Sequence, residues 1–462
     1  MPKARTDIAG GVPLVFRGLS PSGISCIIRE NNEEARHMDR TPHYDSYVKI
    51  LEEELIPAMG CTEPIAIALA AAKARTALGT VPEQCRVEVS GNIIKNVKAV
   101  TVPNTGGLKG IEASAAAGMA AGRPELGLEV LSRVTPEEIE AMKALIEHCA
   151  IRVVPALGDR VFFINVTVMA GEHTACCEIV DFHTNIVRIQ RDTEVLFQAE
   201  AGAGDSEEQT DRSVLSVEEI VAFADCLDTA DVAELLDRQI AYNTAISEVG
   251  MKGGLGAEVG RTLRSLYGDD VAVRAKAAAA AGSDARMSGC EMPVVIVSGS
   301  GNQGMTTSLP VIEYARDMGA SHEELLRALT VANLVTIHQK TGIGRLSAFC
   351  GAVSAGCGAA AGIAYLKGGR YKVIAHTIAN TLAICSGMIC DGAKPSCAAK
   401  IAAAVDAGLM GYHMYVNGGH QFVGGEGIIK KGVENTIDNV GRLARLGMRG
   451  TDQEILDIMV GR

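Results

Sequence analysis

An uncharged stretch of 19 residues at positions 348–366 (AFCGAVSAGCGAAAGIAYL) constrains the fold of this chain more than any other feature of its sequence. Its length is sufficient for a membrane-spanning helix. Its residues, however, are mostly Ala and Gly, with few of the large apolar side chains that lipid-facing helices expose. The composition therefore favours a tightly packed central helix in a water-soluble bundle, and it predicts that the chain does not span a membrane.

Small side chains are also abundant, and aromatic side chains rare, in the chain as a whole. Its 462 residues include 51 glycines, eight phenylalanines, nine tyrosines and no tryptophan. The interior must therefore be packed from small aliphatic side chains, which allow helices to approach one another closely. Helices of this kind also favour a homodimer.

The charge and the cysteines bear on partners and on the cellular compartment. The 43 Lys and Arg residues against 55 Asp and Glu residues give a net charge of −12, which disfavours nucleic acid and anionic lipid as partners. The 13 cysteines have no regular short spacing, and no basic segment with an apolar signal core stands at the N-terminus. We therefore expect reduced thiols in a cytoplasmic protein, where selected cysteines bind metal or catalyse a reaction.

Hydrophobic periodicity divides the chain into two parts. Residues 1–43 mix Gly, Pro and charge, and predict a variable N-terminal extension. Helical and strand-like runs from 44 to 203 predict an α+β domain with an antiparallel sheet. The acidic segment 204–213 predicts a linker, and residues 214–462 have the pattern of helices joined by glycine-containing turns. The predicted architecture is an α+β domain followed by an all-α helical domain.

The segment 386–400 (SGMICDGAKPSCAAK) carries the clearest candidate metal ligands. Cys390 and Cys397 flank a turn containing Gly and Pro, which lets both sulfurs approach one centre and exposes backbone N–H groups to them. Two core cysteines at a helix junction are the alternative interpretation. Candidates for a third ligand are Cys350, Cys357 and Cys385. Three thiolates on a cubane cluster would leave one iron open as a Lewis acid.

Cys61 lies in the sequence GCTEP, directly before a predicted helix. The helix dipole and the free N–H groups at such a position lower the pKa of a thiol. Cys61 is therefore a candidate base or labile metal ligand. A small residue at a tight turn is the alternative.

The segment 298–307 (SGSGNQGMTT) offers polar groups for a substrate carboxylate at the start of a helix. Its candidate binding residues are Ser298, Ser300, Asn302 and Gln303. The segment matches neither a Walker loop nor a dinucleotide fingerprint, and a structural turn is the alternative. Arg286 offers a cation for the same carboxylate or forms an ion pair, whereas His338 and Lys340 offer bases.

Five ordered motifs together resemble the L-cysteine desulfidase family. They are GCTEPIA at 60–66, SDARM at 283–287, SGSGNQG at 298–304, RLSAFC at 345–350 and SGMICDGAKPSCAAK at 386–400. The resemblance extends from about Tyr44 to the end of the chain. The helical half is also similar to the alpha subunit of the iron–sulfur L-serine dehydratases.

The resemblance implies a lyase that converts L-cysteine and water to pyruvate, ammonia and hydrogen sulfide with a 4Fe-4S cluster and without PLP. By motif it assigns the cluster to Cys350, Cys390 and Cys397. It makes Cys61 the candidate fourth ligand, displaced by substrate, or the base that removes the α-proton; His338 is the other candidate base. The open iron would bind the substrate sulfur and make sulfide a better leaving group.

Two departures from the serine dehydratases favour cysteine as the substrate. The last two cluster cysteines are only seven positions apart, and the first lies in the sequence FCGAV. Serine dehydratases have a wider spacing and a GCQxE-like motif at those places. An L-serine dehydratase and a non-catalytic iron–sulfur or thiol sensor remain the alternatives.

Overall fold

The computed structural model describes residues 40–158, 160–199, 210–344, 346–422, 424–425 and 427–461. The predicted N-terminal extension lies outside this range apart from residues 40–43, and so do residues 204–209 of the predicted linker. Residues His43–Arg462 form one compact unit. The predicted domain boundaries within this unit stay predictions.

The first half of the chain forms a six-stranded sheet with helices packed on it. Its elements are α1 (Tyr44–Glu54), β1 (Pro57–Met59), α2 (Thr62–Leu78), β2 (Gln84–Val89), α3 (Gly91–Val97), α4 (Gly110–Ala121), α5 (Pro136–His148), β3 (Ala150–Pro155), β4 (Phe163–Ala170), β5 (His173–Val180), β6 (Ile186–Arg191) and β7 (Glu194–Gln198). The strand order is β3-β2-β4-β5-β6-β7, with antiparallel pairing except between β2 and β3. The predicted α+β region with an antiparallel sheet is thus confirmed.

Alternating side chains explain why the sheet packs on one face. In β4 the side chains of Ile164, Val166 and Val168 are buried, and their neighbours are only partly buried. This period of two directs one face of the sheet against α2, whose alanines allow close contact. Before β3, helix α5 begins with a capping box in which Thr135 and Glu138 bond each other's backbone N–H groups.

The second half is almost entirely helical. Its elements are α6 (Val217–Cys226), α7 (Ala233–Met251), α8 (Val259–Tyr267), α9 (Val271–Met287), β8 (Pro293–Val295), α10 (Gly301–Met318), α11 (His322–Ile343), α12 (Gly351–Leu366), α13 (Tyr371–Cys385), α14 (Cys397–Val416), α15 (Val433–Arg442) and α16 (Arg449–Val460). The helical prediction is confirmed, with β8 as a short exception that pairs antiparallel with β1. Helix α1 joins this half, because Tyr47 and Leu51 pack in one core with Phe223.

The uncharged segment forms the buried helix α12. Every residue from 352 to 365 is buried, and α12 packs against α10, α11, α13 and α14. A Cβ atom at Gly358 would lie 2.5 Å from Ala332 O, and one at Gly362 would lie 2.7 Å from Ala328 O, so glycine permits this close approach to α11. Within the described residues, no helix combines the length and the apolarity needed to cross a membrane.

The close helix packing gives a stability prediction at Gly250. A Cβ at this position in α7 would overlap the carbonyl oxygen of Ala281 in α9. We expect Gly250→Ala to lower the free energy of unfolding by about 1–3 kcal/mol, because the two helices must separate. Urea denaturation measures this change.

Gly450 provides the control, since a Cβ there would meet no atom within 4 Å. Gly450→Ala should be neutral or stabilise α16 by up to about 1 kcal/mol. Equal destabilisation by both substitutions would contradict the close-packing explanation.

Candidate active site

Two short strands place the GCTEP and SGSG segments side by side. Strands β1 and β8 pair with each other, and a turn then leads from β1 into α2 and from β8 into α10. The Thr62 hydroxyl donates a hydrogen bond to Gly299 O at 2.9 Å, which joins the two turns. Gly60 adopts a φ of +63° in the first turn, a conformation that favours glycine. Cys61 and Ser300 are the N-cap residues of α2 and α10.

The segments before α12 and α14 form the opposite side of the site. Cys390 N donates to Ala348 O at 2.6 Å, and Cys350 N donates to Met388 O at 3.0 Å. This backbone pairing holds Cys350 beside Cys390. Cys350 is the N-cap of α12, and Cys397 is the first residue of α14.

Together these segments surround a cavity of about 110 Å³. Its lining includes the predicted site residues Cys61, Arg286, Ser298, Ser300, Asn302, Gln303, Cys350, Cys390 and Cys397. The N-termini of α2, α10, α12 and α14 all contribute residues to it. Because first-turn N–H groups lack partners within a helix and carry partial positive charge, these four helix N-termini attract anionic groups such as thiolates and carboxylates.

His338 does not line the cavity. Its Nε2 atom lies 2.6 Å from Glu434 Oε2, and the other oxygen of that carboxylate accepts a hydrogen bond from Val217 N. Burial opposes ionisation of Glu434, but these bonds and the charge of His338 hold its pKa below the usual value. The position of His338 gives it a role in joining α11 to α15 and does not support it as the base.

The cavity lining includes Glu63, Asn96 and His183, which were not identified as site residues from the sequence. Glu63 follows Cys61 in the GCTEP motif and could have been found there, whereas Asn96 and His183 come from the α+β region without a local signal. Asn96 Nδ2 donates to Glu63 Oε1 at 3.0 Å. His183 is 5% exposed in the turn between β5 and β6, with its ring edge-on to Phe162.

Burial governs the protonation of the thiols around the cavity. It raises the pKa of Cys61 to about 11, although Arg286 acts in the opposite direction. Burial, with a contribution from Cys390, raises the pKa of Cys350 to about 12, and burial also raises the pKa of Cys397. Cys61 lies at a helix start as predicted, but the prediction of a lowered thiol pKa is wrong, because burial is the largest effect on this thiol. Metal binding would reverse this balance, since ligand thiols lose their protons.

Two lysines support the loop between Cys390 and Cys397. Lys400 Nζ donates to Asp391 Oδ1 at 2.6 Å, and Lys394 pairs with the other oxygen of the same carboxylate. Burial disfavours the charged form of Lys400, but Asp391 raises its pKa above the usual value. The site therefore has fixed positive charge close to its thiols.

The C-terminal helix α16 fixes the backbone next to Cys350. Asp452 forms an ion pair with Lys95, whose side chain is 2% exposed. The second oxygen of Asp452 accepts a hydrogen bond from Ala348 N at 2.9 Å. Asp452 thereby connects α3 and α16 to the backbone at Ala348, whose carbonyl accepts the hydrogen bond from Cys390 N.

We expect Asp452→Asn to lower the free energy of unfolding by about 1–3 kcal/mol, because a buried ammonium group loses its charged partner. Urea denaturation measures the loss. Glu454, exposed on the same helix, is the matched control, and Glu454→Gln should leave the midpoint unchanged. A midpoint for Asp452→Asn equal to that of the control would contradict this role.

The side chains available as metal ligands determine which kind of metal centre the cavity could hold. Within the described residues, no three His, Cys, Asp or Glu side chains could hold a single metal ion. The ligands of a cubane cluster bind different iron atoms and so surround a larger group. Three thiols lining one cavity, with helix N-termini to stabilise their negative charge, fit such a cluster better than a mononuclear ion.

Comparison with known proteins identifies the family. The sequence model of the serine dehydratase alpha chain matches residues 125–457. A UPF0597 protein of Desulfitobacterium hafniense is 57% identical over 91% of this chain and 97% of its own length. UPF0597 proteins of Lachnoclostridium phytofermentans and Treponema denticola are 51% and 45% identical, over 90% and 92% of this chain and 100% and 99% of their own lengths. The chain belongs to the serine dehydratase alpha chain family.

Proposed function

We propose that this protein is an iron–sulfur-dependent lyase that converts L-cysteine and water to pyruvate, ammonia and hydrogen sulfide. The observation that carries the proposal is the cavity lined by Cys61, Cys350, Cys390, Cys397 and Arg286 at four helix N-termini. Membership of the serine dehydratase alpha chain family supports elimination from a β-substituted amino acid. The sequence around the cysteines favours sulfide over water as the leaving group.

Cys350, Cys390 and Cys397 are the residues that would hold a 4Fe-4S cluster. When bound, the cluster supplies an open iron as a Lewis acid for the sulfur of the substrate. Lys394 and Lys400 lie close to these cysteines through Asp391 and offset part of the negative charge of the thiolates.

Arg286 and the first turn of α10 form the proposed carboxylate site. The Arg286 guanidinium is buried and donates from Nε and Nη2 to Gly60 O at 3.2 and 2.8 Å. A Cβ at Gly301 would lie 2.6 Å from Arg286 Nε, so glycine lets the guanidinium lie against the start of α10. Ser300 and the α10 backbone N–H groups then complete a site for an anion.

Cys61 is the proposed base. Its thiolate takes the proton from the α-carbon, the electron pair of that C–H bond forms the Cα–Cβ double bond, and the Cβ–S bond breaks to release sulfide. Burial disfavours this thiolate and raises the pKa of Cys61, whereas the Arg286 charge acts in its favour. The aminoacrylate product becomes an imine and hydrolyses to pyruvate and ammonia without the enzyme. His183 and Lys340 also line the cavity.

Substrate comparison under anaerobic conditions tests this function. After reconstitution with iron and sulfide, we expect equal amounts of pyruvate and sulfide from L-cysteine and a higher kcat/KM for L-cysteine than for L-serine. Pyruvate from L-serine alone would instead establish the second candidate, an L-serine dehydratase, which the family match favours. A bound cluster without turnover of either amino acid would indicate a sensor.

A further inference from the structure

The charged groups of the cavity include one carboxylate among the described residues, and that carboxylate is Glu63. An α-amino acid brings a carboxylate and an ammonium group into the site together. Arg286 and the helix N-termini provide for the carboxylate, but an ammonium group buried without an anionic partner is strongly disfavoured.

We propose that Glu63 binds the α-ammonium group of the substrate and thereby restricts the site to α-amino acids. The inference rests on the proposed lyase function and adds to it the residue that selects the substrate class.

Glu63 and Arg286 both lie close to Cys61. Arg286 is bonded to the carbonyl of Gly60, directly before Cys61, and Glu63 lies in the first turn of α2 directly after it. The two charges act on the Cys61 thiol in opposite directions. Because the α-carbon of an amino acid is bonded to both charged groups, a substrate bound by Glu63 and Arg286 has its α-carbon close to Cys61.

The Glu63 carboxylate is held in place and retains acceptor capacity. Asn96 Nδ2 donates to one oxygen at 3.0 Å, and the other oxygen lies 3.2 Å from the Thr62 hydroxyl, whose proton is donated to Gly299 O. Each carboxylate oxygen can accept a further hydrogen bond. Asn96 thus orients Glu63 and leaves acceptor positions on both of its oxygens.

The cavity also contains buried acceptors without donors. The side-chain carbonyl oxygens of Asn96, Asn302 and Gln303 are buried and have no hydrogen-bond partner among the described residues. Asn96 is 8% exposed and Gln303 is 6% exposed. Buried acceptors are normally satisfied, and an ammonium group supplies three N–H donors. Within the described residues, the cavity lining therefore lacks N–H donors for these oxygens, and the ammonium group of an amino-acid substrate would supply them.

Two ligands distinguish binding of the ammonium group from binding of the carboxylate and the thiol. L-Alanine keeps both charged groups but has no leaving group, whereas 3-mercaptopropionate keeps the carboxylate and the thiol but lacks the amino group. Calorimetry on the reconstituted full-length protein gives a Kd for each, independent of turnover. We expect Glu63→Gln to weaken L-alanine binding by about 10–100-fold, the loss of a charge-assisted hydrogen bond, and to change 3-mercaptopropionate binding by less than about twofold.

Glu112 is the matched control, because it is also a first-turn glutamate but lies exposed on α4 outside the cavity lining. Glu112→Gln should change neither Kd. A Glu63→Gln variant that binds both ligands as wild type does, or that loses affinity for both equally, would overturn the assignment and leave Glu63 a structural residue of α2. A third outcome separates the two proposals. If Glu63→Gln selectively weakens L-alanine binding but wild type turns over neither L-cysteine nor L-serine, the lyase proposal fails while the ammonium site stands.

Discussion

Cys390→Ala is expected to remove bound iron and to lower pyruvate formation from L-cysteine by about 1,000-fold or more, because a Lewis-acid contribution of several kcal/mol is lost. Cys390 lines the cavity, and its backbone N–H is bonded to Ala348 O beside Cys350. Without its sulfur, two thiols remain from the proposed set of three. Iron content after anaerobic reconstitution and the rate of pyruvate release measure the two effects.

Cys385 is the matched control for this substitution. It is partly buried, as Cys390 is, and lies five positions earlier in the sequence at the end of α13, outside the cavity lining. Cys385→Ala should keep wild-type iron content and turnover within about twofold, as for most substitutions away from a site. Normal iron and activity in Cys390→Ala would refute the ligand assignment.

Cys61→Ser is expected to lower kcat by about 10²–10⁴-fold, the contribution typical of a general base. A serine hydroxyl fits the space but ionises far less readily than a thiol. Iron content should remain near that of wild type, because Cys350, Cys390 and Cys397 are unchanged. Single-turnover pyruvate formation and iron analysis on the same sample separate chemistry from cluster loss.

Cys290→Ser is the comparison for Cys61→Ser, since Cys290 is partly buried and lies outside the cavity lining. It should retain both iron and turnover. Loss of iron in Cys61→Ser would identify Cys61 as a permanent ligand, and unchanged kcat would exclude it as the base.

Local patterns in the sequence were sufficient for most of the elements and for the cysteine segments. The turn around Asp391-Gly392 indicated that Cys390 and Cys397 do not lie on one continuous helix, and α14 indeed begins at Cys397. The small residues of 348–366 indicated a buried helix, and α12 is buried along its length. In each case the determining interaction lies within a few residues of the pattern.

Features that depend on distant contacts were not predicted. Strands β1 and β8 are three residues each and pair across more than 200 positions, so neither has a detectable period. His183 reaches the cavity because the β5–β6 turn packs beside the helical half, and nothing in its neighbouring sequence marks it. His338 was expected near the cluster segment, but the packing of α15 places Glu434 against it.

The pKa of Cys61 shows a second limit of prediction from local sequence. Its position at a helix start is a local property and was predicted, whereas its burial is a property of the assembled fold. Burial is the largest effect on this thiol and raises its pKa to about 11. A sequence argument that includes the dipole and omits burial therefore gives the wrong direction.

The central claim is that turnover depends on a cluster held in this cavity. The most direct measurement compares the rate of sulfide and pyruvate release from L-cysteine with bound iron per chain, in samples reconstituted anaerobically to different extents. We predict a rate proportional to bound iron that extrapolates to zero without iron and reaches its maximum near about four irons per chain, as for one 4Fe-4S cluster. Turnover that persists after iron is removed by chelation, or a full cluster without release of pyruvate from L-cysteine, would contradict the account.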